Sequence, residues 1–312
     1  MRSTTTIAAT TPPAKKLDKR VSTAAPPAAT THTHPAEHAI LHTAHRNTPS
    51  ADSDGFIHPS AIVSSKAQIG RNCFIGPYST IGDEVVLGDN VRLESHCVID
   101  GRTHISDETH VFPFVSIGLA SQDLKYKGES SETRIGRRCS IREFVTIHRG
   151  TAGGGMLTQI GDDCLIMAQA HVAHNCQVGN NVIMTNGATL AGHVHVDDGA
   201  VIGAYSGVHQ FCRIGREAYI GGYSVIVKDA LPFALTVGNR PTRCYGMNTE
   251  GMKRRGYPRE ITETLHHAFH LLLNSRLNTS QALARIRKEI HDSPEVNRLV
   301  NFIETSKRGI VK

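Results

Sequence analysis

Histidine recurs in four short segments near the middle of the chain. The segments read IREFVTIHRGT, MAQAHVAHNC, LAGHVHV and GVHQFCRIG, and they place His174 and His193 nineteen residues apart, with His209 sixteen residues further on. Imidazole titrates near neutral pH and binds metal ions, so such a cluster could transfer protons or hold a metal. A single histidine is readily explained as a structural residue with satisfied hydrogen bonds. Three at this spacing indicate a site if the chain brings them to one edge.

The element that can bring them together is a ladder of apolar residues six positions apart. The ladder occupies three stretches, 57–117, 135–147 and 160–226, and contains 26 rungs. A period of six fits neither an α-helix nor an alternating strand. Each repeat is therefore predicted to form one flat side of a β-solenoid, with three sides and about 18 residues in each coil. On the resulting prism of just under nine coils, the three histidines lie near one edge.

Two interruptions and a set of glycines mark the ladder. The sequence LASQDLKYKGESSET (119–133) forms the first excursion loop, and HRGTAGGGMLTQ (148–159) forms the second. Loops that leave a repeat array usually carry its function.

Glycine directly follows several rungs, as at Gly70 and Gly88. These glycines are expected to supply the backbone freedom that a corner needs.

Four regions are predicted along the chain. Residues 1–52, rich in Thr, Ala, Pro and His, form a disordered tail, because this composition cannot bury enough apolar surface to offset the entropy of ordering. The β-helix occupies 53–229, an irregular connector 230–257, and a small helical domain 258–312 that closes one end of the prism.

Three apolar patterns predict the helices of the last region. The first joins Ile261, Leu265, Phe269 and Leu272 at helical spacing. The second follows Thr279 as a candidate cap, and the third is opened by Ser293 and Pro294 as cap and first helical residue.

Composition limits the classes of function. The chain has 312 residues, of which 39% are hydrophobic and 20% charged, with a formal net charge of +6 and no long run of Lys or Arg. A nucleic-acid partner is therefore not expected, whereas an acidic partner or a phosphorylated substrate would suffice to explain the charge. No apolar run is long enough for a membrane span. The seven cysteines are never spaced as CxxC and are expected to be small buried residues in a reducing cytosol.

The motifs, taken in order, resemble one family. QDLKYKGE, IREFVTIHRGT, AHVAHNC, LAGHV, VHQFCRIG and NTEGMKRRGY occur here in the order found in UDP-N-acetylglucosamine acyltransferases, and the resemblance covers about residues 55–312. The rungs alone indicate only the hexapeptide-repeat acyltransferase superfamily. The resemblance implies a mainly β fold, a left-handed parallel β-helix with a C-terminal α-helical domain. It further implies a cytoplasmic homotrimer, from a Gram-negative-type bacterium, with active sites between subunits.

The same resemblance implies an activity and a set of site residues. A 3-hydroxyacyl chain passes from acyl carrier protein to the 3-position of UDP-N-acetylglucosamine, the first step of lipid A biosynthesis, with no metal and no further cofactor. His174 matches the general base, and the backbone amide of Gly192 matches the donor to the thioester oxyanion. Gly222 matches the position that limits acyl-chain length, and glycine there implies room for a longer chain. The positions matching those that hold the sugar nucleotide are Asp123, Lys125, His148, His171, His193, His209, Gln210, Asn248, Glu250, Arg254 and Arg255.

One departure from the family pattern leaves the acceptor open. The family usually has Asp directly after the base, and this chain has Asn175. An amide can fix the tautomer of the imidazole but cannot stabilise an imidazolium by charge. A related acyltransferase that acts on a glucosamine amine has the same His-Asn pair, so a 3-amino sugar or a glucosamine amine is an alternative acceptor.

Two readings from other classes also remain open. A metalloenzyme like the γ-carbonic anhydrases would use His171 and His174 with His193 or His209 around a metal ion. A non-catalytic solenoid scaffold would show regular rows of exposed Thr, and the outward positions here are too mixed to favour it.

Overall fold

A computed structural model describes residues 55–312 of the chain. The predicted tail of residues 1–52 lies outside the described residues. From Phe56 to Ile226 the chain forms 26 short parallel strands, β1 to β26, that follow one another around a triangular prism. The prediction of a left-handed parallel β-helix with a C-terminal helical domain is confirmed.

The first face of the prism contains every third strand from β1 to β25. Its strands are β1 Phe56–Ile57, β4 Phe74–Ile75, β7 Arg92–Leu93, β10 His110–Val111, β13 Ser140–Ile141, β16 Leu165–Ile166, β19 Ile183–Met184, β22 Val201–Ile202 and β25 Tyr219–Ile220. The second face contains β2 Ile62–Val63, β5 Thr80–Ile81, β8 Val98–Ile99, β11 Ser116–Leu119, β14 Thr146–His148, β17 His171–Val172, β20 Thr189–Leu190, β23 Gly207–Val208 and β26 Val225–Ile226. The third face contains β3 Gln68–Ile69, β6 Val86–Leu87, β9 Arg102–Ile105, β12 Glu132–Ile135, β15 Leu157–Ile160, β18 Gln177–Val178, β21 His195–Val196 and β24 Arg213–Ile214.

Each rung points into the prism and stacks on the equivalent rung of the next coil. Ile99 pairs with Ile117, and Ile117 pairs with Ile147 across the first excursion loop. All three side chains are fully buried. The rungs keep their register on both sides of the interruption, and the pairing of β11 with β14 shifts only just beyond Ile117, where the loop begins. The extra residues therefore leave the prism there, as predicted.

The glycines that follow the rungs have a different role from the one expected. None of Gly70, Gly76, Gly82 and Gly88 has a backbone φ in the left-handed region. A Cβ on Gly70 would lie 2.4 Å from the carbonyl oxygen of Gly88 on the next coil. The prediction that these glycines supply corner flexibility is therefore wrong, because it is the close approach of successive coils that requires them. Positive φ occurs three residues after the rungs, at side chains such as Tyr78 with φ 59°.

The connector is more regular than predicted. Strand β27, Ala234–Val237, adds to the first face beside β25, and β28, Arg243–Met247, pairs with β27 in antiparallel fashion. Helix α1, Thr249–Arg254, follows directly. The sequence concealed this arrangement because the six-residue period stops at Ile226 and proline and glycine interrupt the segment.

Three longer helices complete the chain, and their core includes the end of the prism. Helix α2 covers Arg259–Phe269 and continues as a π-helical turn over His270–Asn274, α3 covers Thr279–Glu289, and α4 covers Pro294–Glu304. Leu231 and Phe233 at the end of the prism share a buried cluster with the helices. No helix within residues 55–312 is both long and apolar enough to cross a membrane.

The predicted caps are half right. The Ser293 hydroxyl accepts a hydrogen bond from the Val296 amide, as expected. Thr279, however, is not a cap but the first residue of α3, and the cap is Asn278, which forms a reciprocal capping box with Gln281.

The cysteines lie where the sequence predicts. All seven are free, and six are buried.

Candidate active site

The histidine column lies on the edge between the second and third faces. His174 occupies the turn between β17 and β18, and the same turn of the next coil holds His193. Their rings are perpendicular, with centroids 5.1 Å apart. The His193 ring stacks on Phe211 at 4.4 Å. The coiling of the chain thus places the spaced histidines of the sequence side by side.

The orientation of the His174 ring is fixed by Asn175. The amide oxygen of Asn175 lies 2.8 Å from His174 Nδ1. The same oxygen accepts hydrogen bonds from the backbone N–H of Thr151 at 3.1 Å and from its hydroxyl at 2.7 Å. The Asn175 amide nitrogen donates to the Thr151 carbonyl at 3.2 Å. Since these contacts hold the amide in one orientation, its oxygen faces the imidazole, Nδ1 carries the proton, and Nε2 is left free to accept one.

Three neighbouring histidines are held neutral. Burial, reinforced by the nearby His171 and His174, lowers the pKa of His148 to about 4. Burial and His174 also lower the pKa of His171, whose Nδ1 lies 2.7 Å from the Thr146 hydroxyl. Burial and His174 lower the pKa of His193, and Asp123 opposes this shift. At neutral pH these three rings are hydrogen-bonding groups rather than cations.

The first excursion loop brings a carboxylate close to His174. Asp123 Oδ2 lies 4.0 Å from His174 Nε2. The other carboxylate oxygen accepts a hydrogen bond from the Lys125 backbone N–H at 3.0 Å, while the Lys125 side chain extends into solvent. Glu129 of the same loop accepts from the Ala152 N–H at 3.0 Å, which ties the two excursion loops together. Both loops therefore fold over the turn that holds His174.

Two glycines give the site its shape. A Cβ on Gly192 would lie 2.5 Å from Cε1 and 2.6 Å from Nε2 of His174. A Cβ on Gly154 of the second excursion loop would lie 2.4 Å from the Asn175 side chain and 2.5 Å from the His193 ring. The N–H of Gly192 has no hydrogen-bond acceptor within the part of the chain that the structure describes. It is a free donor next to the unprotonated imidazole nitrogen.

His209 and Gln210 continue the column by one coil but are exposed. His209 Nδ1 accepts a hydrogen bond from the Arg308 guanidinium at 3.0 Å. Gly222 lies on a different edge, between the first and second faces, where the nearest atom to an added Cβ would be the Ala204 carbonyl oxygen at 3.3 Å.

The candidate nucleotide-binding residues of the connector lie away from His174 within the chain. Asn248 caps α1 through Gly251 and donates to the carbonyl of Glu217, in the turn between the third and first faces. Arg255 forms an ion pair with the buried Glu217 at 2.9 Å and donates to the Gly199 carbonyl at 3.0 Å. Glu250 and Arg254 are exposed. One chain thus carries His174 on one edge and the connector residues on another.

Sequence reasoning missed Thr151, Thr158 and Gly154. Thr151 holds the Asn175 side chain, and the Thr158 hydroxyl accepts from the Asn175 backbone N–H at 2.8 Å. Their positions in HRGTAGGGMLTQ were visible, but nothing in that string shows that the loop folds back onto a turn some twenty residues later.

Within residues 55–312 no three His, Cys, Asp or Glu side chains are grouped so that they could hold a metal ion.

Comparison with known proteins gives matches over nearly all of the described residues. Residues 229–311 match the family model of UDP N-acetylglucosamine O-acyltransferase, domain 2, and residues 56–101 and 157–192 match the bacterial transferase hexapeptide family. The acyl-[acyl-carrier-protein]–UDP-N-acetylglucosamine O-acyltransferase of Herminiimonas arsenicoxydans is 46% identical over 260 residues, which are 82% of this chain and 99% of that protein.

Two solved structures give the same result. LpxA from Acinetobacter baumannii superposes with a TM-score of 0.79 at 41% identity, over 82% of this chain and 99% of its own. LpxA from Bacteroides fragilis, a UDP-N-acetylglucosamine acyltransferase, superposes with a TM-score of 0.80 at 40% identity, over 82% of this chain and 100% of its own.

Proposed function

The chain belongs to the acyl-[acyl-carrier-protein]–UDP-N-acetylglucosamine O-acyltransferase family, and on that premise we propose that His174 is its general base in acyl transfer to the sugar hydroxyl. The reaction moves a 3-hydroxyacyl chain from acyl carrier protein to O3 of UDP-N-acetylglucosamine and opens lipid A biosynthesis. The observation that carries the proposal is the clamp on Asn175, which leaves His174 Nε2 unprotonated beside a free backbone donor.

The proton moves twice in this mechanism. Nε2 of His174 takes the proton of the sugar 3-hydroxyl as that oxygen attacks the thioester carbonyl. The carbonyl oxygen gains a negative charge, and the N–H of Gly192 donates a hydrogen bond to it. The tetrahedral intermediate then breaks its C–S bond, and the departing thiolate of the carrier takes the proton from the imidazolium. The ester and the free carrier thiol leave the site, with His174 returned to its neutral form.

The second group of residues holds the acceptor. Asp123 stands 4.0 Å from Nε2 and is placed to accept a hydrogen bond from a sugar hydroxyl bound there, with Lys125 on the same loop. His148, His171 and His193 are neutral rings suited to uncharged sugar groups, and His209 and Gln210 extend the same edge. Asn248, Glu250 and Arg254 receive the nucleotide, with Arg254 on the diphosphate because guanidinium pairs well with phosphate oxygens. Arg255 already neutralises Glu217 and is assigned to holding α1 in place.

A homotrimer would complete this site. The base and the connector residues lie on different edges of one prism, so a single chain cannot bring them to the same substrate. Packing of copies side by side would bring the connector of one subunit to the histidine edge of the next, with Gly222 available to the acyl chain from a third edge. We therefore expect a trimeric mass by light scattering at micromolar protein. A monomer that is fully active at that concentration would contradict the shared site.

The proposed reaction needs acyl carrier protein as donor and no metal or other cofactor. Acyl carrier protein would place the reaction in the cytoplasm, in keeping with the sequence expectation. Metal analysis tests the metalloenzyme alternative. Stoichiometric zinc together with carbon dioxide hydration would overturn the acyltransferase mechanism.

Product analysis tests the proposed function directly. The full-length protein is incubated with carrier protein loaded with 3-hydroxyacyl chains of several lengths, and with UDP-N-acetylglucosamine or its 3-amino analogue. Mass analysis of the product should show an ester of the 3-hydroxyl, with the longer chains accepted because Gly222 leaves room. Exclusive acylation of the amine would assign the amine as acceptor and overturn the hydroxyl assignment.

Thr151 should contribute to rate without touching the substrate. In Thr151→Val the hydroxyl donor to Asn175 is lost while the shape and both backbone contacts remain. We expect kcat to fall about tenfold, the effect of one buried hydrogen bond, with KM for both substrates unchanged. Thr151→Ser keeps the hydroxyl and is the matched control. Equal loss in the Ser variant would assign the effect to packing of the methyl group instead.

A further inference from the structure

A buried carboxylate fastens the C-terminal segment to the histidine edge. Asp229 is 1% exposed and accepts hydrogen bonds from the backbone N–H and the guanidinium of Arg213, and from the Ser306 hydroxyl. Its backbone N–H donates to the Gly309 carbonyl, and its own carbonyl accepts from the Val311 N–H, both at 2.9 Å. The segment 306–311 is therefore held against the turn that follows β26, one coil beyond His209.

This attachment presents two cations that no carboxylate neutralises. Arg308 donates to His209 Nδ1 at 3.0 Å, and the stem of Lys228 runs beside Gly309. Both side chains are exposed, and neither forms an ion pair within residues 55–312, whereas Arg213 in the same region is paired with Asp229. Two positive groups thus face solvent together on the catalytic edge.

The position of this cluster along the edge is set by the coil repeat. His174, His193, His209 and Lys228 occupy the same turn of four successive coils. Neighbouring parallel strands are about 4.8 Å apart, so Lys228 lies roughly 14 Å from His174 along the edge. The chain of the phosphopantetheine arm between phosphorus and sulfur reaches roughly 15 Å when extended, at about 3.5 Å for every three bonds.

We propose that Arg308 and Lys228 bind the phosphate of the phosphopantetheine arm that delivers the thioester to His174. The inference rests on the proposed function and deepens it by assigning a donor subsite. The diphosphate of the nucleotide has the same chemistry, and its candidate residues Asn248 and Arg254 lie on another edge of the same chain; the two phosphates are distinguished by which substrate's KM changes. Guanidinium and ammonium groups suit a phosphodiester oxygen, and the cluster is in line with the base at the distance the arm spans.

Steady-state kinetics on the full-length protein test the subsite. In Arg308→Ala and in Lys228→Ala we expect KM for acyl carrier protein to rise about tenfold or more, the usual effect of losing a charge-assisted hydrogen bond. KM for UDP-N-acetylglucosamine should stay within about twofold of the unmodified enzyme. Arg276→Ala, which removes another exposed and unpaired arginine, is the matched control and should change neither value.

Short donors separate the phosphate from the carrier protein. The unmodified enzyme should turn over acyl-phosphopantetheine with a lower KM than acyl-pantetheine, which lacks the phosphate, and Arg308→Ala should remove that preference. A rise in KM for UDP-N-acetylglucosamine alone would assign the cluster to the nucleotide and overturn the proposal, as would unchanged KM in both variants. Absence of turnover by the unmodified enzyme would instead contradict the proposed function. If Arg308→Ala does not fold, Lys228→Ala decides, because the Lys228 side chain is exposed.

Discussion

Replacement of His174 by alanine should lower kcat by on the order of 10² to 10⁴, the usual effect of removing a general base. KM for UDP-N-acetylglucosamine should change little, because the imidazole accepts its proton only as the hydroxyl attacks. The reason is geometric: Nε2 is the one ring nitrogen left unprotonated by the Asn175 contact, and it lies next to the free N–H of Gly192. Initial rates across a range of pH measure the loss of kcat, and calorimetry measures separately whether UDP-N-acetylglucosamine still binds.

A matched pair of variants separates chemistry from structure in that experiment. His174→Gln keeps a hydrogen-bonding side chain but no base, and it should be as slow as His174→Ala while retaining the melting temperature. His209→Ala, at an exposed position, should mainly raise KM for UDP-N-acetylglucosamine. If His174→Gln turns over at an ordinary rate, another group takes the proton and the mechanism is wrong.

Asn175→Asp tests the departure from the family pattern. A carboxylate beside the imidazole favours its protonated form, so the acid limb of the pH-rate profile should move to higher pH. The substitution also weakens the clamp, since the amide N–H that donates to the Thr151 carbonyl is lost. The Asn175 amide needs the Thr151 carbonyl to turn its oxygen toward His174. A carboxylate has two oxygens and would fix the imidazole tautomer without that contact.

The fold was predictable because its signal is strictly periodic. Every rung from Ile75 to Ile226 is buried, or nearly so, at the six-residue spacing seen in the sequence. The sequence-based predictions fail where a contact between residues distant in the sequence decides the structure. Gly70 was assigned to corner flexibility, whereas its constraint is the carbonyl of Gly88 on the next coil. Strand β27 was missed because it adds to a sheet without continuing the period.

The site was predictable to the extent that coiling alone assembles it. The spacing of His174 and His193 is close to one coil, so the sequence placed them together. It could not show that Thr151, at the far end of an excursion loop, returns to hold Asn175. It also could not show that Arg255 is already paired with Glu217, since that contact joins the connector to a turn nearly forty residues earlier.

Gly192→Ala should lose activity by on the order of 10²-fold, the effect of displacing a catalytic group by about 1 Å. The added methyl would lie 2.5 Å from Cε1 and 2.6 Å from Nε2 of His174, well inside contact distance, and the next atom of that ring, Nδ1, is at 3.2 Å. The backbone at Gly192 cannot shift easily because hydrogen bonds hold the residues on both sides. The Ala191 N–H donates to the Val208 carbonyl, and the His193 N–H donates to the His174 carbonyl. The imidazole therefore has to move, which strains its contact with Asn175 and withdraws Nε2 from the Gly192 N–H.

Gly207→Ala is the matched control for this substitution. Gly207 lies in β23 of the next coil, its φ is not in the left-handed region, and a Cβ there would meet no atom within 4 Å. The two variants should have similar melting temperatures, since in each the backbone conformation is open to alanine, but only Gly192→Ala should lose kcat. The distance between Nε2 and the Gly192 N–H is then the quantity being tested. Full activity in Gly192→Ala would mean that the imidazole moves aside without cost, and that neither its position nor the amide next to it determines the rate.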